Sequence, residues 1–531
     1  MTGRVAPALV IILALLAGCT GGAGPIGPDP VGTLPEAART IMAKPEYSGA
    51  RWLYRVSDPE TGEVLLANRP DELVFTGSTA KEFTIGSAYA TLGPDRVITT
   101  PVYALGKRTR DRLAGTLVLV ASGDLALGGR GAMQGRVDQA FTATTIDHVY
   151  GDIAPTAALV KDDPLAGLDS LAQQVASSGI KRIDGDVVID TRLWQTFDGQ
   201  EGPVPPIFVN DNILDLTVTG GSSPGRPATV RMRPQTAAFT VRSAVKTAPA
   251  DAAGELVVTP DPRHPERLTV SGTIGVGASQ VTIHRIPDAA TWARSLFIEA
   301  LRRAGVTVSA PTVARNSTSG LPGRPGQPTR YPDDRKVATL TSPPLERFGT
   351  MILLTSYDTG ANAVLCLLAA GRGSTHCTDG LKSIREQVDA AELDSDNVLL
   401  FDGQGADPAS TTPTQMAAWM TWVRTQPWGD ALVAGQPVLG ESGTMALSGH
   451  DSPARGKIAA KTGTSLAVDP ATGRAYAKVQ SLAGYLTTNS GRTLVLALSM
   501  SGGTYPDVPT ALTGAGDDVN AVAAAFQQAI P

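Results

Sequence analysis

Hydrophobic positions recur along this chain in two rhythms, and the switches between them predict its elements. Segments 51–56 and 63–67 are apolar-enriched runs around the turn-rich Asp58-Pro59-Glu60-Thr61-Gly62, the pattern of a hairpin. Phe83, Ile85, Ala88, Tyr89 and Leu92 then fall at helical spacing, with Gly93-Pro94 as the stop. Segment 113–120 is a continuous apolar run ending in Ser122-Gly123-Asp124, and 183–190 repeats the idea of a strand edged by glycine and aspartate. Leu168, Leu171, Ala172, Val175 and Ala176 place a helix between them. From roughly 205 to 285, short β-branched runs such as Thr217-Val218, Phe239-Thr240-Val241 and Leu268-Thr269-Val270 alternate with turns and predict a small β-rich module.

The helical rhythm returns at 292–304, where Gly305 ends it, and the Gly/Pro-dense stretch 320–328 reads as a surface loop. Pro343-Pro344-Leu345-Glu346 opens a helix running to about Leu354. Thr411-Thr412-Pro413-Thr414 orders a cap and a proline as a helix start requires, and Met416, Trp419, Met420 and Val423 continue it as one apolar face. Segments 479–486 and 494–500 predict adjacent strands joined across Thr488-Asn489-Ser490-Gly491, and the alanine-rich 519–529 a closing helix. Two stretches of mixed helix and strand thus bracket a β-rich centre, which implies an inserted region.

The 531 residues predict two or three domains, and a formal net charge of −5 without a basic cluster argues against a nucleic-acid partner. Five scattered histidines give no zinc-ligand spacing, so neither a metal nor a cofactor is expected. At the start, Arg4 precedes the apolar run 10–17, which ends at Gly18-Cys19, the layout of a secretory signal and too short for a membrane span. Leu16-Ala17-Gly18-Cys19 also resembles the lipobox of bacterial lipoproteins, which implies that Cys19 is lipidated and that 20–36 is a flexible tether; a plain secretory signal is the alternative. Export permits a disulfide between Cys366 and Cys377, with a buried free thiol as the alternative that the apolar surroundings of Cys366 offer.

Chemistry enters with Ser78-Thr79-Ala80-Lys81. Residues three apart share a helix face, so the Lys81 amine comes within hydrogen-bond reach of the Ser78 hydroxyl, a nucleophile carrying its own base. The serine stands near the start of a largely buried helix, where amide dipoles favour developing negative charge. Lys461-Thr462-Gly463-Thr464 follows the apolar 458–460 as if on a strand; a cation, hydroxyls and a glycine there can clamp a carboxylate. Ser356-Tyr357-Asp358 follows the helix ending near Leu354 and supplies another hydroxyl. Each pattern alone recurs by chance, and their order along the chain is what makes them specific.

At these residues the chain resembles the penicillin-recognising serine peptidases, whose signatures are SxxK, SxN and KTG. More narrowly it is similar to the D-alanyl-D-alanine carboxypeptidase/endopeptidases of family S13, because Ser78 and Ser356 stand 278 positions apart and that family carries large insertions between these motifs. Asp402-Gly403-Gln404-Gly405 and Gly443-Thr444-Met445 are further echoes. The resemblance implies an α+β fold of the penicillin-binding/serine β-lactamase-like transpeptidase type, an antiparallel sheet with helices on both faces and a large inserted β-rich region. It divides the chain into a signal at 1–19, a tether at 20–36, a catalytic domain from 37–100 and 335–531, and accessory insertions at 101–334.

The same resemblance implies the roles. Ser78 attacks the carbonyl between two D-alanines and Lys81 takes its proton; Ser356 relays a proton to the leaving amine; Lys461 supplies positive potential; and Thr462, Gly463 and Thr464 bind the terminal carboxylate. Expected partners are peptidoglycan stem peptides ending in D-Ala-D-Ala, β-lactams that acylate Ser78, and a lipid membrane held through Cys19, with the protein exported to the outer face of the bacterial membrane and facing the wall. Two departures stand out. Asp358 occupies the position of the family asparagine, and a carboxylate that only accepts hydrogen bonds stabilises a protonated Lys81 and weakens it as a base, unless Asn362 supplies the amide. Gln404 replaces a usual serine and is expected away from the reacting groups. Tyr357 is read as lining the cleft or plugging its wall. Competing functions are a degenerate penicillin-binding protein that binds wall peptides without efficient turnover, and a serine β-lactamase or esterase.

Overall fold

The structure is a computed structural model of the chain that describes residues 30–137, 146–252, 254–324 and 326–531. The signal and the lipobox with Cys19 lie outside the described residues. In chain order the elements that frame the site are β1 (Arg51–Ser57), β2 (Val64–Asn68) and α1 (Lys81–Leu92), followed by β3 (Thr99–Thr109), β4 (Arg112–Val120), α2 (Ala166–Ser177) and β5 (Val187–Asp190). Six strands then succeed one another: β6 (Ile213–Thr219), β7 (Thr229–Arg233), β8 (Thr240–Ala248), β9 (Glu255–Pro260), β10 (Arg267–Gly275) and β11 (Ser279–Arg285). After α3 (Ala289–Arg303) and β12 (Lys336–Thr341) come α4 (Leu345–Thr355), α5 (Asp358–Gly371), α6 (Gly380–Ala390) and α7 (Pro413–Val423). The chain closes with β13 (Ile458–Val468), β14 (Ala475–Thr487), β15 (Thr493–Ser501) and α8 (Val508–Ala529).

The two ends of the chain share one antiparallel sheet in the order β2-β1-β15-β14-β13, in which Trp52 pairs with Met500 and Lys461 with Ala483. It carries helices on both faces. On one face Tyr54 and Leu496 pack under α8 through Val519 and Phe526; on the other Tyr485, Val495 and Ala497 meet Phe83 of α1, Phe348 of α4 and Trp419 of α7. Strand β14 is buried almost throughout, as a central strand covered twice must be. The fold is thus of the expected α+β class, an antiparallel sheet with helices on both faces.

Segment 99–341 builds a second mixed sheet, in which β4 pairs antiparallel with β3 and parallel with β5, and β3 pairs with β12. Its core joins α2 and α3 through Leu171, Trp292 and Phe297. The β-rich module consists of two three-stranded sheets, β7-β6-β11 and β8-β10-β9. Local chemistry sets the element ends: Thr412 accepts from the Gln415 amide at the start of α7, Asp507 does the same for Thr510 before α8, and Gly93 ends α1 at a φ of 87°. Cys366 of α5 and Cys377 are joined by a disulfide, which resolves the two thiol readings.

Candidate active site

Ser78 lies in a single 3-10 turn, Gly77–Ala80, that leads into α1, so the nucleophile sits just ahead of the α-helix. The turn is pressed against β13. A Cβ at Gly77 would lie 2.7 Å from the Thr464 amide nitrogen, one at Gly463 would lie 2.3 Å from the Thr76 carbonyl oxygen, and Ser481 Oγ donates to that same oxygen at 2.9 Å. Only glycine at both positions permits this approach, and Gly77 has a φ of 49° besides. The SxxK turn and the KTG strand are therefore neighbours because of what their glycines lack.

Lys81 is fully buried, and its Nζ donates to Ser78 Oγ at 2.6 Å, to Asp358 Oδ1 at 2.5 Å and to the Gln404 carbonyl at 3.3 Å. Asp358 comes from the first turn of α5. Ser356, between α4 and α5, adopts a left-handed φ of 58°, which reverses the chain and turns its hydroxyl toward β13. There Lys461 Nζ donates to Ser356 Oγ at 2.9 Å and to the Thr462 carbonyl at 2.8 Å. Burial, with the Lys81 charge adding, pushes the Lys461 amine well below the ordinary lysine range against the pull of Asp358 and Glu82. Thr462 Oγ1 is 2.7 Å from Thr444 Oγ1, and Thr464 Oγ1 donates to Gln480 at 2.8 Å.

The residues singled out from sequence thus come together: Ser78, Lys81, Ser356, Asp358 and 461–464 form one contiguous set of contacts. Two expectations change. Asn362 does not supply a substitute amide, because it donates to Gln404 Oε1 at 2.7 Å and accepts from the Gly403 amide at 2.9 Å, deep under the cleft. Gln404 is closer than expected: its side chain faces Asn362, but its carbonyl accepts from Lys81. Tyr357 plugs the wall, 3% exposed, with the Arg130 guanidinium 5.8 Å above its ring.

Sequence reasoning missed what lies behind that wall. Arg130 is bonded to Asp147 and Asp211, and His148 contacts Asp215 at 2.8 Å and Asp211 at 3.0 Å, all buried. Burial opposes a charged imidazole, yet these carboxylates hold His148 pushed up to about 10. Beside this cluster, Tyr150 donates from its hydroxyl to the Ser356 carbonyl at 2.6 Å. Glu82, next to Lys81 and wholly buried, was also missed. Pairings over such sequence distances leave no local signal; the adjacency of Glu82 to the SxxK lysine was the one available hint. Among the described residues no group of three His, Cys, Asp or Glu side chains is placed to hold a metal ion.

The sequence profile of the D-Ala-D-Ala carboxypeptidase 3 (S13) family matches residues 34–522. The D-alanyl-D-alanine carboxypeptidase of Actinomadura sp. (strain R39) is 26% identical over 467 residues, covering 83% of this chain and 78% of that protein. The crystal structure of penicillin binding protein 4 (dacB) from Haemophilus influenzae superposes with a TM-score of 0.67 at 18% identity, covering 92% of this chain and 99% of the other. The same protein complexed with a novel β-lactam gives a TM-score of 0.63 at 18% identity, over 93% and 100% of the two chains. At that identity the superpositions establish the fold.

Proposed function

Because the chain belongs to the D-Ala-D-Ala carboxypeptidase 3 (S13) family and is a hydrolase of that class, we propose that it removes the terminal D-alanine from peptidoglycan stem peptides through an acyl-enzyme on Ser78. D-alanyl endopeptidase action on cross-links and acylation by β-lactams belong to the same reading. The observation that supports it best is the pair of lysine-hydroxyl contacts in one cleft, Lys81 on Ser78 and Lys461 on Ser356.

Ser78 Oγ attacks the penultimate D-alanine carbonyl and passes its proton to uncharged Lys81. The peptide C–N bond breaks, the leaving amine takes a proton delivered through Ser356, and an ester remains on Ser78. Water then hydrolyses that ester and frees the enzyme. The amides of Ser78 and Thr464 would hold the oxyanion, and Lys461 with Thr462, Gly463 and Thr464 would hold the substrate carboxylate. Asp358 works against the first step, because its carboxylate accepts from Lys81 at 2.5 Å and competes with the Ser78 hydroxyl for that amine.

That contact also favours a second reading, a penicillin-binding protein that captures wall peptides with little turnover. Export, a lipid anchor at Cys19, and the division into a catalytic unit (37–100 and 335–531) and an inserted accessory region (101–334) complete the proposal. The described residues contain no helix long and apolar enough to cross a membrane. Release of D-alanine from a D-Ala-D-Ala-terminated peptide, with S78A as control, tests the hydrolytic reading. Release lost in S78A supports it; peptide binding without release supports the second reading; equal release from wild type and S78A overturns both.

A further inference from the structure

Glu82 follows Lys81 on α1 and has no accessible surface. Its Oε1 accepts from Gln436 Nε2 at 3.2 Å, from the segment after the short helix Gly429–Ala434. The remaining oxygen of each group, Glu82 Oε2 and Gln436 Oε1, is buried with no hydrogen-bond partner. Both are acceptors while the carboxyl is ionised, so the arrangement leaves two orphaned buried oxygens, which is unfavourable. Turning the amide over does not help, since one oxygen of the amide then opposes one of the carboxylate. A proton on the carboxyl makes one of its oxygens a donor, so that an acid O–H can face the amide oxygen while the amide N–H donates to the acid carbonyl.

We propose that Glu82 is a positioning residue, carried as the neutral acid in a two-hydrogen-bond ring with Gln436, which leaves Asp358, among the described residues, as the one carboxylate in direct contact with an active-site lysine. The surroundings agree. Lys461, the amine nearest in effect to Glu82, aims its Nζ at Ser356 and Thr462 instead of forming a contact with the carboxyl. The other titratable groups that feel Glu82 are Tyr89 on its own helix and Tyr485 on β14, both held neutral by burial. The helices packed on α1 bring Asp358 at the start of α5 and Glu346 with Arg347 at the start of α4. Burial pushes the Glu82 carboxyl up to about 8, against Lys461 and Gln436.

Below that value Glu82 is neutral and the potential around Lys461 favours an incoming carboxylate. Above it a second anion appears beneath Lys461 and opposes the anionic end of the substrate. Penicillin acylation is therefore expected to fall as pH rises through about 8 in the wild type, and E82Q, which keeps a neutral group of the same shape, is expected to lose that step.

The inference rests on the proposed reaction only for this kinetic arm. Infrared difference spectroscopy of the folded protein across pH reads the acid directly: the carbonyl stretch of a protonated carboxyl should be present at neutral pH, vanish with a midpoint near 8, and be absent from E82Q. Asp124, another buried acid, is pushed up to about 6 and titrates earlier. If E82Q does not fold, the wild-type titration decides alone. A wild-type spectrum with no such band at neutral pH, or an identical alkaline step in E82Q, overturns the proposal. A normal band in a protein that penicillin never labels would count against the hydrolase reading and leave this one standing.

Discussion

At the scale of single residues the account turns on the charge beside Lys81. Asp358 and Lys81 form a close ion pair at the nucleophile, a charge-assisted hydrogen bond worth about 1.5–3 kcal/mol that the amine must give up to take the Ser78 proton. Replacing it by the family amide, D358N, should raise the second-order rate of penicillin acylation about tenfold or more, measured by stopped-flow against the wild type; an unchanged or lower rate would show that the ion pair does not limit the proton transfer. His148 makes a separate prediction about stability. Its folded value of about 10 lies above the ordinary 6.5, so its contribution is complete below about 6.5 and is lost as pH rises toward 10. Melting temperature should fall over that window in the wild type and fall less in H148Q. The motif letters already announced a carboxylate acting on Lys81, but that Asn362 is committed to Gly403 and Gln404, and so supplies no substitute amide, depends on how α5 is placed.

At the scale of elements, the site exists because a serine turn and a lysine strand lie in contact, and glycine makes that possible. A methyl at Gly463 would meet the Thr76 carbonyl at 2.3 Å and Ser481 Oγ at 2.4 Å, so G463A must push the turn off the strand. Displacements of about 1 Å in such a constellation can cost about 100-fold; we expect penicillin labelling of G463A to fall by about that factor while its circular dichroism stays native. Elements whose pattern was strongly periodic or clearly punctuated were readable in advance: the hairpin β1-β2, α1 with its Gly93 stop, α4, α7, and the strand pair β14-β15. Helix α5 was not, since nearly every residue from Gly360 to Cys366 is buried and the helix shows no polar stripe to betray its period. Strands β3 and β12 were missed for the opposite reason, because half of each is exposed and their apolar positions are few. The closing helix begins at Val508, earlier than the alanine-rich 519–529 indicated, because Asp507 and a proline set its start.

At the scale of the whole molecule, the segment between the two halves of the first sheet reaches back into the site. Tyr150 holds the Ser356 carbonyl, and Arg130 covers the Tyr357 ring from within its buried carboxylate cluster, so the left-handed turn carrying Ser356 is braced from the inserted side. Losing one such hydrogen bond costs about 0.5–1.5 kcal/mol. Y150F should therefore slow acylation about three- to tenfold with little change in melting temperature, and a rate equal to wild type would mean that the brace is irrelevant to Ser356. This coupling had no trace in local patterning; the long separation between Ser78 and Ser356 announced an insertion but not its contact with the site. The measurement that tests the central claim most directly is mass analysis of the protein after exposure to a fluorescent penicillin. The account predicts a single covalent adduct on the peptide containing Ser78, absent from S78A; an adduct on another residue, or none under conditions where the protein is folded, would contradict it.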